Sequence, residues 1–186
     1  MTSIDTPPDT ALAAAGEALR THVRDIQDFP QPGVVFKDIT PLLATPAAFG
    51  AVIEALAETA RRVGATVVAG IEARGFLLAA PVADRLGVGL VPIRKQGKLP
   101  GRTVAESYAL EYGTATLEIH HDAVAAGDRV LIVDDVLATG GTAAAAANLI
   151  RRGGAEVLGL AVLMELTFLA GRERVPMLDV TALLTI

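Results

Sequence analysis

Short, unbroken apolar runs alternate along this chain with longer stretches whose apolar residues recur every three or four positions. The runs Thr66–Gly70, Val88–Ile93, Val130–Val133 and Val157–Leu163 are four to seven residues long and rich in Val, Ile and Leu. Runs of that length predict strands buried on both faces of a parallel sheet. The periodic stretches predict helices. Over Ala11–Ile26, one face carries Leu12, Ala15, Leu19, Val23 and Ile26. Pro46–Val63 has Thr45 placed to cap it, Pro46 at its first position and Gly64 to end it. Arg74–Leu86 and 143–152 follow, with a last strand near Val180–Leu184. Strand–helix–strand units in succession imply parallel pairing with right-handed crossovers. The predicted class is α/β, a parallel sheet with helices on both faces.

Two regions break this rhythm. Asp28–Pro41 holds three prolines around the apolar centre Val34-Val35-Phe36. Arg94–Arg102 holds four basic residues, two glycines and a proline, with no acid. Beyond it, Val104–Tyr108 and Ala115–Ile119 read as a hairpin excursion around Glu111-Tyr112-Gly113. Residues 1–10 are polar and read as a disordered tail. Residues 11–186 read as one domain, without internal repeat or low-complexity tract.

Composition narrows the possibilities. The chain has 186 residues, of which 52% are hydrophobic and only 4% aromatic, so its core must be built from Ala, Val, Leu and Ile. Sixteen basic against twenty-one acidic residues give a net charge of −5. That balance argues against nucleic acid as a partner. The absence of cysteine excludes disulfides and thiolate chemistry. His22, His120 and His121 show no metal spacing with acids. No secretory leader or membrane-length apolar stretch is visible, so a cytoplasmic protein is expected, with no membrane partner.

The most informative string runs from Arg129 to Thr142. Its apolar start predicts a strand ending at Asp134-Asp135. A loop of Ala138, Thr139, Gly140, Gly141 and Thr142 then leads into a helix. Unpaired N–H groups at a helix start, and the helix dipole, favour an anion there. Glycines let the backbone approach a phosphate, and threonines add donors. The two acids would repel a bare phosphate, but they suit sugar hydroxyls or waters on magnesium. The string is neither a Walker A loop nor a dinucleotide fingerprint.

Ligands of open parallel sheets bind at the carboxyl ends of the strands. Three loops should converge there: Ile71–Gly75, Arg94–Lys98 and Asp134–Thr142. In the first, Arg74 can offer a fork of donors to pyrophosphate, although a first helical turn is a poor place for a cation. The second is either a solvated basic loop or a mobile clamp on a polyanion. Glu111 is either a solvated turn residue or a proton acceptor. The Asp28–Pro41 loop presents apolar residues and backbone, a surface that either seals the helix before it or suits a flat purine.

The string Arg129–Thr142 resembles the signature of type I phosphoribosyltransferases. Asp28–Pro41 and Arg94–Gly113 are similar to the base-binding hood and flexible loop of adenine phosphoribosyltransferases. The resemblance spans about Ile26 to Leu166. It implies a type I phosphoribosyltransferase core with a small N-terminal hood (28–41) and a flexible loop (94–113). It implies transfer of the phosphoribosyl group of phosphoribosyl pyrophosphate (PRPP) to adenine, giving AMP and pyrophosphate. Asp134 and Asp135 would then hold the ribose, and Ala138–Thr142 the 5′-phosphate. Arg74, Arg94, Lys95 and Lys98 would face pyrophosphate, and Val35, Phe36 and Lys37 adenine. Glu111 would manage the base's proton. Magnesium would arrive with PRPP and meet the acids through water, without a direct protein ligand. Because loop residues of that family reach a neighbouring subunit's site, a homodimer is implied. Two alternatives stay open here: transfer to another base, and a PRPP-sensing regulator.

Overall fold

A computed structural model describes residues 8–109 and 113–186. Helix α1 (Pro8–His22) leads into a two-stranded antiparallel ribbon, β1 (Arg24–Ile26) and β2 (Phe36–Asp38), followed by the short α2 (Thr40–Leu43). Then come α3 (Pro46–Val63), β3 (Val67–Ile71), α4 (Arg74–Leu86) and β4 (Gly89–Lys95). A hairpin of β5 (Thr103–Ala109) and β6 (Thr114–His120) precedes β7 (Arg129–Leu137), α5 (Gly141–Arg152), β8 (Glu156–Glu165) and β9 (Val180–Thr185). Two short 3₁₀ turns, Thr167–Leu169 and Gly171–Arg174, lie between the last two strands.

The seven-stranded sheet has the order β5-β6-β4-β3-β7-β8-β9. Strands β4, β3, β7, β8 and β9 run parallel. Strand β6 pairs antiparallel with β4 at Arg94↔Glu118 and Lys95↔Leu117, at the carboxyl end of β4. The hairpin therefore extends the sheet past the end of β4, on the side where the parallel strands end.

Alternation along the strands divides the core in two. Val68, Leu131, Val133, Ala161 and Leu163 pack with residues of α1, α3 and α4. Ala69, Ile71, Val130, Ile132, Leu160 and Val162 pack with the Ala-rich face of α5. With so few aromatics, the helices can approach the strands closely. A methyl on Gly70 would come within 2.7 Å of the Ala79 Cβ.

Most boundaries shift by one or two residues, and three differences from expectation bear on the site. The first helix begins at Pro8, inside the expected tail, and stops at His22; residues 1–7 lie outside the described residues. Arg24–Ile26, expected to continue that helix, instead pairs with Phe36–Asp38. Hydrogen bonds across the Pro-rich loop outweigh the helical spacing of Val23 and Ile26. Strand β7 does not end at the acid pair but runs on to Leu137, because β8 continues beside it and pairs Val136↔Met164 and Leu137↔Glu165. The α3 boundaries fall at Pro46 and Val63 as predicted, with Gly64 left-handed at φ 68°. Thr45 spends its hydroxyl on the Pro41 carbonyl rather than on the helix N–H groups.

Candidate active site

The β1–β2 ribbon frames the Pro-rich loop, and local bonds set its shape. Gly33 N–H donates to Asp28 Oδ1 at 2.7 Å, and Phe29 N–H to the Val34 carbonyl at 3.2 Å. Phe29 meets Phe36 edge-on, with centroids 5.1 Å apart. Asp38 fastens the ribbon to α2. Its carboxylate accepts the Thr40 N–H, which does most to hold its pKa down to about 2, with Arg24 assisting. The Lys37 ammonium turns to Asp25 at 2.8 Å.

This ribbon closes one side of a cavity of about 600 Å³ at the carboxyl ends of the parallel strands. Val34, Val35, Phe36 and Lys37 line it from the ribbon, and Glu72, Ala73 and Arg74 from the loop after β3. Lys95 contributes from the end of β4, and Tyr108, Ala115 and Leu117 from the hairpin. Asp134, Asp135, Val136, Ala138 and Thr142 come from β7 and its loop, and Leu166 and Leu169 from the segment after β8. A smaller cavity of about 90 Å³ lies under the 138–142 loop, with Thr139 and Gly140 in its wall.

The 138–142 loop keeps its shape by close backbone approach. Gly140, at φ 81°, precedes the first turn of α5. A methyl there would collide with the Gly171 carbonyl, and one on Gly171 with the Ala138 carbonyl. The 171–174 turn that backs the loop is anchored by Arg172, whose guanidinium donates to buried Glu165 at 2.7 to 2.9 Å.

Electrostatics concentrate on the acid pair. Asp135 N–H donates to Asp134 Oδ1 at 2.9 Å. Burial, then the neighbouring Asp135 charge, push Asp134 well above the usual carboxylate range. Burial raises Asp135 too, while the Arg74 charge pulls it back. Arg74 Nη2 stands 2.8 Å from Asp135 Oδ2, yet that oxygen has no well-directed hydrogen bond among the described residues. Arg74 also donates to the Lys37 carbonyl at 3.0 Å and lies 4.8 Å above the Phe36 ring. This one side chain ties the ribbon to the acids. The Glu72–Ala73 peptide just before it is cis.

Of the residues singled out in the sequence, Val35, Phe36, Lys37, Arg74, Lys95, Asp134, Asp135, Ala138 and Thr142 share the large cavity. Gly141 starts α5 and packs under the Tyr108 ring. Arg94 and Lys98 stand outside the lining. Arg94 bonds Glu72 at 3.2 Å and the Lys98 carbonyl at 2.8 Å. Although burial pushes Glu72 up, the Lys95 N–H and Arg94 hold it below its ordinary pKa. Glu111 lies outside the described residues. Tyr108, Leu166, Leu169 and Glu72 were missed. Leu166 follows directly on β8, so the strand-end rule could have flagged it. Tyr108 read only as a hairpin position.

Comparison with known proteins agrees with this geometry. Residues 38–182 match the family model described as the phosphoribosyl transferase domain. The adenine phosphoribosyltransferase of Parafrankia sp. (strain EAN1pec) is 73% identical over 186 residues, covering all of both chains. The crystal structure of the adenine phosphoribosyltransferase of Rhodothermus marinus is 52% identical, with a TM-score of 0.88 over 94% of this chain and 99% of that one. That of Saccharomyces cerevisiae, complexed with an imino-altritol bisphosphate and adenine, is 39% identical, with a TM-score of 0.86 over 92% and 99%. The chain belongs to the phosphoribosyltransferase family, among its adenine phosphoribosyltransferases.

Proposed function

We propose that this chain transfers the 5-phosphoribosyl group of PRPP to adenine, giving AMP and pyrophosphate in purine salvage. One observation carries the reading. One cavity gathers an apolar, backbone-presenting ribbon, a buried acid pair and the two ends of the Gly/Thr loop, Ala138 and Thr142, with Thr139 and Gly140 in the wall of the smaller cavity beside it. These match, in turn, a flat base, a ribose and a phosphate.

In this reading the base lies on Phe36, with Leu166 and Leu169 supplying further apolar wall. The backbone of Val35 and Lys37 reads its edge. The Lys37 carbonyl already takes one bond from Arg74 and keeps a second lone pair. Thr139, Thr142 and the N–H groups of Ala138–Thr142 hold the 5′-phosphate. Asp134 and Asp135 accept the ribose hydroxyls, so that C1 faces the base. As the C1–oxygen bond to pyrophosphate breaks, positive charge grows on the ribose and negative charge on the leaving group. Arg74 and Lys95 face that negative charge. N9 of adenine forms the new bond at C1 and gives up its proton, for which Glu111 is the proposed acceptor. Lys98 joins when its loop closes over the site and excludes water, and Arg94 turns to the leaving group from the end of β4.

No group of three or more His, Asp or Glu side chains among the described residues could cage a metal. The acid pair, with one oxygen of Asp135 lacking a well-directed bond, instead suits a magnesium ion brought by the substrate and held through water. When bound, the ion neutralises charge on the departing pyrophosphate. No helix of the described residues is long and apolar enough to cross a membrane. A cytoplasmic homodimer completes the proposal. Exposed Leu77, Leu90, Phe168 and Met177 offer apolar surface for pairing, and the mass in solution and cell fractionation check it.

The test is incubation with PRPP, magnesium and each purine base in turn. AMP from adenine alone is expected. IMP or GMP would overturn the reading of the ribbon. No product with any base, despite PRPP binding, would overturn the transfer reaction in favour of a sensor.

A further inference from the structure

Strand β5 lies along α5, and Tyr108 reaches the first turn of that helix. The Thr142 hydroxyl donates to the Tyr108 hydroxyl at 3.1 Å, in a half-buried position. Gly141 leaves room for the ring, since a methyl there would come within 3.2 Å of the Tyr108 Cδ2. The other end of the strand is clamped to the same helix. Arg152 donates to the Ala105 carbonyl at 2.8 Å and to Glu106 at 2.9 Å, and Asn148 donates to Glu106 at 3.0 Å. Glu106 and Tyr108 are two positions apart, so both leave the strand on one side, toward α5.

Tyr108 and Thr142 both line the large cavity, next to Ala138. A threonine hydroxyl carries one proton and two lone pairs. Once Thr142 donates its O–H hydrogen bond to a phosphate oxygen, it can no longer donate to Tyr108. Its oxygen becomes an acceptor, and the phenol beside it holds the matching proton.

We propose that Tyr108 is a positioning residue for the 5′-phosphate, through a hydrogen bond that reverses when the anion binds. In the ligand-free protein Thr142 donates to Tyr108. In the complex Tyr108 donates to Thr142, and Thr142 donates to the phosphate. No proton leaves either group; the two hydroxyl rotors turn, and the phenol shifts slightly to face the Thr142 oxygen as a donor. Aligned donors strengthen one another toward a charged end point, and a phenol is the more acidic of the two hydroxyls. The clamp at Glu106 keeps the ring at the right height on the helix. This inference rests on the phosphoribosyl-transfer reading above.

The test uses the full chain, with ribose 5-phosphate as a probe that carries the phosphate but neither base nor pyrophosphate. Tyr108→Phe keeps the ring and removes the hydroxyl. It should weaken ribose 5-phosphate binding and raise the KM for PRPP about three- to tenfold, the net worth of one hydrogen bond. The KM for adenine at saturating PRPP, and the affinity for inorganic pyrophosphate, should stay as in the wild type. In a Thr142→Val background the same change should add nothing, whereas Thr142→Ser should preserve the effect of Tyr108→Phe. Unchanged ribose 5-phosphate binding in Tyr108→Phe would overturn the proposal. So would an adenine KM that rises in step, because the hydroxyl would then only seat the hairpin. A full Tyr108→Phe effect in the Thr142→Val background would also overturn it. Should Tyr108→Phe not fold, Thr142→Ser against Thr142→Val decides from the helix side, and equal binding by the two would overturn the proposal. Wild-type protein that does not bind ribose 5-phosphate would remove the underlying reading as well, and the wild type alone reports that.

Discussion

Replacing Arg74 with Ala removes three contacts at once. The guanidinium stands 2.8 Å from Asp135 Oδ2, donates to the Lys37 carbonyl at 3.0 Å and lies 4.8 Å over Phe36. Removing one partner of a fully buried ion pair costs about 3 to 5 kcal/mol. Here the Asp135 side chain is 7% exposed but that of Arg74 is 35%, so solvent screens the pair. Its share drops to about 1 to 2 kcal/mol. The charged hydrogen bond adds about 1 kcal/mol, and the aromatic contact about 0.5 to 1 kcal/mol. A loss of about 3 kcal/mol near pH 7 is expected. Its pH dependence has a definite sign. Asp135 is already raised above 3.8, by burial first, and Arg74 opposes that rise. Without Arg74 it climbs further. A carboxyl with a higher pKa folded than unfolded binds extra protons in the folded state, so its contribution to stability falls as pH rises from about 4. The deficit of Arg74→Ala should therefore fall to about 2 kcal/mol near pH 4.5, the share of the carbonyl bond and the aromatic contact, and grow toward pH 7 by the share of the ion pair. Urea unfolding followed by far-UV circular dichroism measures it, the chain having no Trp. Arg74→Lys restores a charge but not the fork, and should recover about half of the loss. A deficit below about 1 kcal/mol at pH 7, or one that does not vary with pH, would refute the bridging role.

Two further predictions concern the same cavity. Asp134→Asn should stabilise the ligand-free protein by about 1 kcal/mol at neutral pH and by nothing near pH 4. The cause is that burial and Asp135 hold Asp134 well above its ordinary pKa, so its ionised form opposes folding. Combined with Asp135→Asn, it should cut turnover at least about 100-fold with the fold intact, and near-normal turnover would remove the ribose assignment. Lys37→Ala should change the adenine KM less than about threefold, because the ammonium faces Asp25 and backbone does the reading. Loss of selectivity for adenine over hypoxanthine would contradict that.

What could be read from the sequence follows the range of the forces involved. The buried strands were legible because a parallel sheet demands continuous apolar runs, and Val130–Val133 leaves little choice. Helix α3 was legible because Pro46 and Gly64 act within one turn. Arg24–Ile26 was not, because its strand character comes from a partner about ten residues away. Arg74 drew attention as a cation at an unfavourable helix end, but its three partners come from β2 and β7, and no local pattern names them. Arg94 read as free positive charge, yet Glu72, which carried no signal of its own, holds it. Leu166 and Leu169 gave no sign that they line the cavity, since a cavity wall and a core face share the same composition.

Under the proposed function the starts of α4 and α5 each face an anion, and much of what separates them is backbone. At the start of α4, a methyl on Gly75 would come within 2.8 Å of the Val133 carbonyl and 3.0 Å of Asp134 Oδ1. On the far side of β7, Gly140 and Gly171 meet backbone to backbone. The gap between the two helix starts is thus set mainly by backbone carbonyls, and under the proposed function it would be a ruler for the length of a substrate with an anion at each end. A single carbon inserted at either place would reset that ruler by about an ångström, an error on the order of a hundredfold in rate when two reacting atoms must be aligned.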